Sequence, residues 1–379
     1  MKILMILSTP YMVDPRVSKE AASLVEAGHE VRVIEWDRKK NYEPRSTVEK
    51  ILLIRIHNKG LMKVLPHDLL RNPLWWYAAY KTGAKIYRDG FHFDAVHCHN
   101  LDTLLAGVLL KKKFGVKLVY DAHEIFGHMI AREMPSVIVR FAFRMEKQLL
   151  PFVDKIITVN EPLQNYFRSI STKPITIIMN CKELVSHEYI PPKTKEFTLV
   201  YIGVLHTSRM FPELVDIVGS IDNVKFFIAG KKENLYEEVK KRCIGYPNVD
   251  FLGPIPYNEV IPKTLASDAV ICMISPQDPN NKIGLANKQF EAMVCGRPII
   301  CTKETYAGKL IEKLQCGILV DYTKESVKNA IVTLRDNPEL CNKLGKNALS
   351  AATSQYNWGN EREKLVTLYG ALLGDDTKT

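Results

Sequence analysis

The sequence predicts an α/β protein with two doubly wound domains, and three observations support this class. The chain has 379 residues, and single hydrophobic cores stop growing below this length. Short apolar runs alternate with helix-like stretches up to about residue 180, as in repeated βα units that build a buried parallel sheet. A second series of the same kind starts at residue 197, after a Pro-Pro-containing, charged segment at 186–196 that is typical of a linker.

The first series contains seven predicted strands, most of them followed by a helix-like stretch. The strands are predicted at Ile3–Leu7, Val31–Ile34, Ile51–Ile56, Ala95–Val96, Leu118–Tyr120, Ile156–Val159 and Ile175–Met179, and the helices at 16–27, 73–88, 101–113, 135–149 and 161–168. Parallel sheets bind ligands beyond the carboxyl ends of their strands. We therefore expect polar residues that directly follow these runs to face a ligand.

The second series contains six predicted strands, and two helices follow it. The strands are predicted at Phe197–Ile202, Val224–Ala229, Val249–Leu252, Ala269–Met273, Ile299–Cys301 and Ile318–Val320, and the helices at 338–353 and about 358–373. We predict an N-terminal domain at 1–185, a linker at 186–196, a second domain at 197–355, and a C-terminal helix with a frayed tail at 356–379.

Positive charge is concentrated in the first half of the chain. The formal net charge is +10, and residues 1–185 contain 28 Lys and Arg against 19 Asp and Glu, an excess of +9. A one-sided basic field favours an anionic partner, either nucleic acid or an acidic membrane surface. No nucleic-acid-binding motif accompanies the charge, so we expect no nucleic acid and favour the membrane surface.

Two helix-like stretches in this basic half combine cations with large apolar residues. Residues 135–151, preceded by Arg132, carry Arg140, Arg144 and Lys147, and residues 69–88 contain Trp75-Trp76. Such helices lie on anionic lipid with their aromatic residues at the headgroup level. Each stretch is equally compatible with a core helix that has a solvated basic edge. Their occurrence together favours peripheral membrane contact.

The chain has the features of a cytoplasmic protein. The N-terminal apolar run is too short for a signal peptide, and no window approaches the roughly 20 apolar residues of a membrane-spanning helix. The eight cysteines form no C-x-x-C pair and mostly lie in apolar runs. We expect them to be reduced core residues rather than a disulfide or zinc framework.

Residues 284–300 predict an anion site at the start of a helix. The segment is typical of a loop, a short helix, a break at Gly296 and Pro298, and a buried strand. An anion there would meet free backbone N–H groups, the positive end of the helix dipole and Lys288. An ordinary amphipathic helix with a solvated Lys288 and Glu291 accounts for the same residues.

The run Glu291-Ala-Met-Val-Cys-Gly296-Arg-Pro298-Ile-Ile resembles a segment of the group 1 (family 4) glycosyltransferases. The resemblance implies the GT-B fold, in which two Rossmann-like domains face each other across a cleft and a C-terminal helix crosses back to the N-terminal domain. It also implies a retaining transfer from a nucleotide sugar, with Glu291 holding the ribose hydroxyls.

The resemblance extends to other loops of the second domain. Gly203 and Arg209 match the family's phosphate loop, where a glycine permits close backbone approach and a cation binds phosphate. Lys288 is expected to supply a second cation, and Gly253 matches a loop that frames the nucleobase. The family's first glutamate of an E-x7-E pair falls at Ile283, so we expect substitutes at the donor sugar. These candidates are Gly284, Leu285 and Asn287.

In the first domain, the resemblance indicates acceptor-side and catalytic residues. Asp14 and Arg16 lie in a segment similar to the family's first loop and helix, although Pro15 as a helix start explains this segment equally well. Asp121-Ala-His123 resembles a segment whose histidine contacts the donor sugar or the reacting centre. We therefore predict Asp121 as acceptor-side and His123 as catalytic.

The motif His97-Cys98-His99, with Asp102 nearby, also fits the start of a metal-hydrolase site. The family resemblance offers another explanation, because His-x-His is a usual strand ending there. The sequence contains no Asp-x-Asp motif for a metal-bridged diphosphate. We expect neither a metal nor a cofactor.

The combined interpretation is a retaining glycosyltransferase. It moves a hexose-type sugar from a nucleoside-diphosphate donor to a saccharide or lipid-linked acceptor of a polysaccharide or cell-envelope pathway. Two alternatives stay open. One is a nucleotide-sugar epimerase on the same fold, and the other is a non-catalytic nucleotide-sugar-binding partner of another transferase, which Ile283 favours.

Overall fold

A computed structural model describes residues 1–65, 68–131, 133–193, 195–233 and 235–374, with the side chains of residues 69, 373 and 374 excepted. Arg132 and the tail predicted to be frayed, apart from the backbone of Gly374, lie outside this part. The chain forms two compact units. The first comprises Met1–Met179 and the C-terminal segment from Arg362, and the second comprises Asn180–Glu361. The sequence-based limits at 185, 196 and 355 stay predictions of domain extent.

The first unit is built on an eight-stranded sheet of order β3-β4-β2-β1-β5-β6-β7-β8. All neighbouring strands are parallel except β3 and β4, which are antiparallel. The strands are β1 (Lys2–Leu7), β2 (Glu30–Asp37), β3 (Arg45–Val48), β4 (Ile51–His57), β5 (Ala95–His99), β6 (Lys117–Ala122), β7 (Lys155–Thr158) and β8 (Ile175–Ile177). Strand β3 was not predicted, because an edge strand of sequence Arg-Ser-Thr-Val carries no apolar run.

Helices join these strands. They are α1 (Pro15–Glu26), α2 (Leu61–Val64), α3 (Asp68–Arg88), α4 (Leu101–Phe114), α5 (Phe126–Ile130), α6 (Ser136–Leu149) and α7 (Glu161–Ile170). Helix α4 approaches the sheet closely at Gly107, where a β-carbon would lie 2.3 Å from Sγ of Cys98. The chain leaves β1 and β5 towards opposite sides of the sheet, which makes this pair the topological switch point of the first unit.

The second unit contains a parallel six-stranded sheet of order β11-β10-β9-β12-β13-β14. Its strands are β9 (Phe197–Ile202), β10 (Val224–Ala229), β11 (Val249–Gly253), β12 (Ala269–Cys272), β13 (Ile299–Thr302) and β14 (Gly317–Val320). Its helices are α8 (Glu213–Gly219), α9 (Tyr236–Cys243), α10 (Val260–Leu265), α11 (Pro279–Ile283), α12 (Asn287–Val294), α13 (Tyr306–Leu314), α14 (Lys324–Asp336) and α15 (Pro338–Ser354), and α16 (Trp358–Gly374) follows. The switch point lies between β9 and β12.

Two parallel α/β domains confirm the predicted fold class. The predicted strands are buried on both faces in the sheet centres, as their continuous apolar runs require. The paired tryptophans of α3 were candidates for lipid contact. Trp75 is instead fully buried and stacks on Trp36, and the indole N–H groups of Trp75 and Trp76 both donate to the carbonyl of Asp102. Both indoles are therefore engaged within the first unit.

Candidate functional site

The phosphate-loop candidates of the second unit lie at its switch point. Gly203 directly follows β9 and adopts a φ of +154°, and a β-carbon there would lie 3.1 Å from Nζ of Lys288. Lys288 is in the first turn of α12, and its ammonium group lies 3.9 Å from the centre of the Tyr201 ring. The positive φ and the closeness of Lys288 both favour glycine at position 203. The structure brings together two residues that the sequence analysis assigned to one ligand.

Arg209 ends a short 3-10 turn at Thr207–Arg209 in the same loop. Its Nη1 donates to Oδ1 of Asn281 on α11, at 3.0 Å. Helix α11 belongs to the connection that leaves β12, so the two connections at the switch point are tied by this bond. The guanidinium group is thereby oriented by a neighbouring side chain rather than by solvent alone.

The residues around the start of α12 differ in their exposure to solvent. Gly284 and Leu285 are half-buried in the loop before the helix, next to Ile283, the last residue of α11. Asn287 is exposed, and its Oδ1 accepts from Nδ2 of Asn180 at 2.7 Å. Asn180 received no role from sequence. The structure makes it the residue that orients the amide of Asn287.

Glu291 faces a lysine that the sequence analysis did not select. Its Oε1 lies 3.1 Å from Nζ of Lys182, which also donates to the hydroxyl of Tyr257 at 3.1 Å. Both charged residues are buried. Burial alone would lower the pKa of Lys182, but Glu291 and Tyr257 outweigh it and raise this pKa above its usual value. No clear sequence signal indicated this pairing, because Lys182 lies in the polar run Asn180-Cys-Lys-Glu183.

Gly253 ends β11 with a φ of +69°, and its carbonyl accepts from the N–H of Gly230 at 3.0 Å. A β-carbon at Gly253 would lie 3.1 Å from the hydroxyl of Tyr236. The loops after β10 and β11 are therefore joined by their backbones. The loop after β11 is the one that resembles a nucleobase-framing loop of the family.

In the first unit, Asp14 and Arg16 are engaged in protein contacts. The Asp14 carboxylate caps α1 by accepting from the N–H groups of Arg16 and Val17. Arg16 is buried, and its guanidinium donates to both oxygens of Asp121, at 2.9 and 3.1 Å, and to the carbonyl of Ile178. Contact of either residue with an acceptor stays a prediction.

His123 follows β6 and is oriented by Asp121. Its Nε2 lies 3.0 Å from Oδ2 of Asp121, and its side chain keeps 18% exposure. Burial would lower the pKa of His123, but the Asp121 carboxylate outweighs this and raises it. Burial would raise the pKa of Asp121, but Arg16 and His123 hold it well below its usual range. The Asp121 carboxylate thereby favours the protonated form of His123, which lies at the carboxyl edge of the sheet.

Behind His123 lie the two histidines considered as metal ligands. The rings of His97 and His99 stack with centres 4.3 Å apart, and both residues are buried. The carboxylate of Asp102, which the sequence placed beside them, instead accepts a hydrogen bond from Ser8 and lies near Arg38. The carboxylates that approach the two histidines are those of Glu20 and Asp121.

Comparison with known families decides the class. Residues 17–181 match the model of Glycosyltransferase Family 4, and residues 196–337 match the model of Glycosyl transferases group 1. The chain belongs to the group 1 (family 4) glycosyltransferases. This confirms the family and the transferase class indicated by the motif at Glu291.

Relatives of this glycosyltransferase support the assignment. An uncharacterized glycosyltransferase of Methanocaldococcus jannaschii is 24% identical over 291 residues, which are 72% of this chain and 73% of the relative. Sucrose-phosphate synthase from Thermosynechococcus elongatus has a TM-score of 0.79 at 17% identity, covering 99% of this chain and 100% of that one. Anabaena HepE, crystallised with UDP, has a TM-score of 0.74 at 16% identity, covering 98% and 100%. These structures show the GT-B fold.

Removing either of the two candidate phosphate-binding cations should weaken nucleotide binding. We expect Arg209→Ala and Lys288→Ala each to raise the Kd for a nucleoside diphosphate about 10- to 100-fold, because a charged hydrogen bond contributes about 1.5–3 kcal/mol. Isothermal titration calorimetry measures this. Lys282→Ala, at an exposed lysine of α11, is the matched control and should bind as the wild type does. Unchanged affinity in both test variants would remove the phosphate assignment.

The buried pair of Lys182 and Glu291 should show strong coupling. We expect Lys182→Met to lower the free energy of unfolding by about 3 kcal/mol, because a buried carboxylate is left without its partner. Adding Glu291→Gln should recover part of that loss. Chemical denaturation of the two single variants and the double variant measures the coupling. Additive losses would mean that the ion pair does not hold Glu291.

Proposed function

We propose that this glycosyltransferase transfers a hexose-type sugar, with retention, from a nucleoside diphosphate to a saccharide or lipid-linked acceptor of a polysaccharide or cell-envelope pathway. One observation carries the donor part of the proposal. Gly203, Arg209, Lys288 and Glu291 all lie at the carboxyl edge of the second sheet, around the β9–β12 switch point. The family resemblance independently assigns the same residues to the donor.

The donor diphosphate would be held by positive groups. In this proposal Arg209 and Lys288 bind its oxygens, the N-terminus of α12 adds backbone N–H groups, and Glu291 holds the ribose hydroxyls. Negative charge grows on the diphosphate as the sugar leaves. Donors that are already in place stabilise this charge without reorganisation. The sequence has no Asp-x-Asp motif, so we propose that the diphosphate is bound without a bridging metal.

In the proposed transfer, the acceptor oxygen bonds to the anomeric carbon as the bond from that carbon to the phosphate oxygen breaks. The acceptor proton passes to the leaving phosphate on the same face. This arrangement retains configuration and requires no pair of catalytic carboxylates, unlike glycoside hydrolysis. His123 would position the reacting sugar or the acceptor. Its fixed hydrogen bond to Asp121 and its partial exposure support this role.

Nucleotide binding can be tested directly by thermal shift. The panel contains UDP, GDP, ADP, dTDP and CMP. We expect one of the nucleoside diphosphates to raise Tm, and to raise it by the same increment with and without EDTA. A ligand at about one hundred times its Kd stabilises by about 2.7 kcal/mol. UDP is the first probe because HepE was crystallised with it. The Arg209→Ala/Lys288→Ala variant is the control and should show no shift.

Two outcomes would contradict the proposal. A nucleotide shift that disappears with EDTA would overturn metal-free donor binding. Release of free sugar or an epimer from the matching nucleotide sugar, without transfer to any added acceptor, would favour the epimerase.

A membrane surface is the proposed site of acceptor encounter, and α6 is the candidate contact. Val137, Arg140, Phe141 and Arg144 follow i, i+3, i+4, i+7 spacing and are all exposed, with Val137 at 62% and Phe141 at 55%. Apolar side chains flanked by arginines suit anionic lipid. Among the described residues, no helix is both long and apolar enough to cross a membrane.

Vesicle sedimentation tests this contact. We expect the wild type to sediment with anionic vesicles more than with neutral ones, because both cations and apolar residues of α6 contribute to binding. Val137→Ser/Phe141→Ser should reduce binding to anionic vesicles. Ile244→Ser is the control, since Ile244 is an apolar residue of the second unit that is even more exposed, at 83%. Equal recovery of wild-type protein in both supernatants would refute membrane contact.

A further inference from the structure

We propose that the first unit binds a structural divalent cation, best matched by Zn²⁺, through Glu20, His97, His99 and Asp121. Glu20 lies on α1, the two histidines end β5, and Asp121 is near the end of β6. All four side chains are buried. This site lies in the first unit and has a structural role, whereas the proposed donor-binding residues lie in the second unit. It also goes against the expectation from sequence that no metal is bound.

The candidate ligand atoms form a compact group, with one pair at the spacing of tetrahedral zinc ligands and the other pairs somewhat farther apart. Oδ2 of Asp121 lies 3.3 Å from Nδ1 of His99 and 3.9 Å from Nε2 of His97. Oε2 of Glu20 lies 3.9 Å from Nδ1 of His99 and 4.0 Å from Nε2 of His97. All four atoms fall within 4.8 Å of one another. Tetrahedral zinc with bonds of about 2.0–2.1 Å places its ligands about 3.3–3.4 Å apart. Separations of 3.9–4.0 Å are too long for hydrogen bonds.

Several of these atoms have no other partner. In the described part of the chain, Nε2 of His97 and Oε2 of Glu20 are buried and accept or donate no hydrogen bond. The other Glu20 oxygen lies 3.0 Å from Nη2 of Arg16, which compensates its charge. Native proteins seldom leave buried polar atoms unpaired, because each costs about 1–3 kcal/mol. A cation between the four residues satisfies both atoms at once.

Neighbouring groups orient three of the four ligands, namely His97, Asp121 and Glu20, as is typical of metal sites. Nδ1 of His97 bonds with the hydroxyl of Tyr369 at 2.9 Å, so Nε2 is the nitrogen that points into the cluster. Arg16 anchors Asp121 through two hydrogen bonds and contacts Glu20. Metal-binding histidines and carboxylates are typically held by such outer partners. His97 and His99 are two apart on one strand and therefore share a face.

The chemistry of the donor set favours a closed, structural site. Two imidazole nitrogens and two carboxylate oxygens fit Zn²⁺, and four protein ligands in a buried cluster leave no position for substrate. The cation would join α1, β5 and β6 and, through Tyr369, the C-terminal helix. Asp121 is also the partner of His123, so the cation would stiffen the support of that residue.

Metal analysis tests the proposal on the full-length chain. We expect the purified protein, after loading with ZnCl₂ and desalting, to retain about one zinc ion per chain. Elemental mass spectrometry measures this ratio. A strong chelator should lower Tm, and added zinc should restore it. Cobalt in place of zinc should produce visible absorption bands of a tetrahedral N₂O₂ site.

Variants separate this site from adventitious binding. Glu20→Gln and His99→Gln should lose the zinc, and Tyr369→Phe should weaken zinc binding about 10- to 100-fold. His187→Gln removes an exposed histidine of the second unit and should keep the zinc. Substoichiometric zinc after loading, with no effect of zinc or chelator on Tm, would overturn the proposal. Because the wild type alone yields this result, a variant that fails to fold does not obscure it. Nucleotide binding by the second unit is scored separately and stands or falls independently.

Discussion

Both sheets are parallel and covered on both faces, and this constraint determines where the molecule can carry chemistry. The strands at the centre of each sheet are buried almost throughout, so their interiors cannot hold unpaired charges. Charged side chains therefore collect where the strands end. Arg16, Asp121 and His123 gather at one such edge, and Lys288 and Glu291 gather at the other. Each group lies at or beside the switch point of its own sheet.

Buried ion pairs set the geometry at both edges. Arg16 binds Asp121 through two parallel hydrogen bonds, and Lys182 binds Glu291 while it also contacts Tyr257. Such pairs add little net stability, but breaking one is costly, so their side chains are held in single orientations. A carboxylate with a fixed orientation needs less ordering when a ligand arrives. The proposed ribose ligand Glu291 is thus oriented by Lys182, a residue that the sequence analysis had not assigned to the donor.

The buried cluster and the partly exposed His123 share one carboxylate. Oδ2 of Asp121 accepts from Arg16, faces His99 and bonds His123, so whatever occupies the cluster also acts on His123. Under the two proposals, the buried cluster has a structural role and the partly exposed His123 contacts the substrate. Tyr369 extends the buried cluster to the C-terminal segment of the first unit.

The sequence by itself determined the class, the two parallel sheets and the candidate donor helix, because these follow from local periodicity and from short motifs. Lys288 and Glu291 could be assigned together since they are three positions apart on one helix. Only the tertiary structure decided the partners. Lys182 meets Glu291 and Glu20 meets the two histidines because helices and loops pack against strands that are distant from them in the chain, which no local pattern encodes. The inward Trp75 and Trp76 have the same cause: periodicity shows which face of an element is apolar, but its surroundings depend on elements distant in the chain.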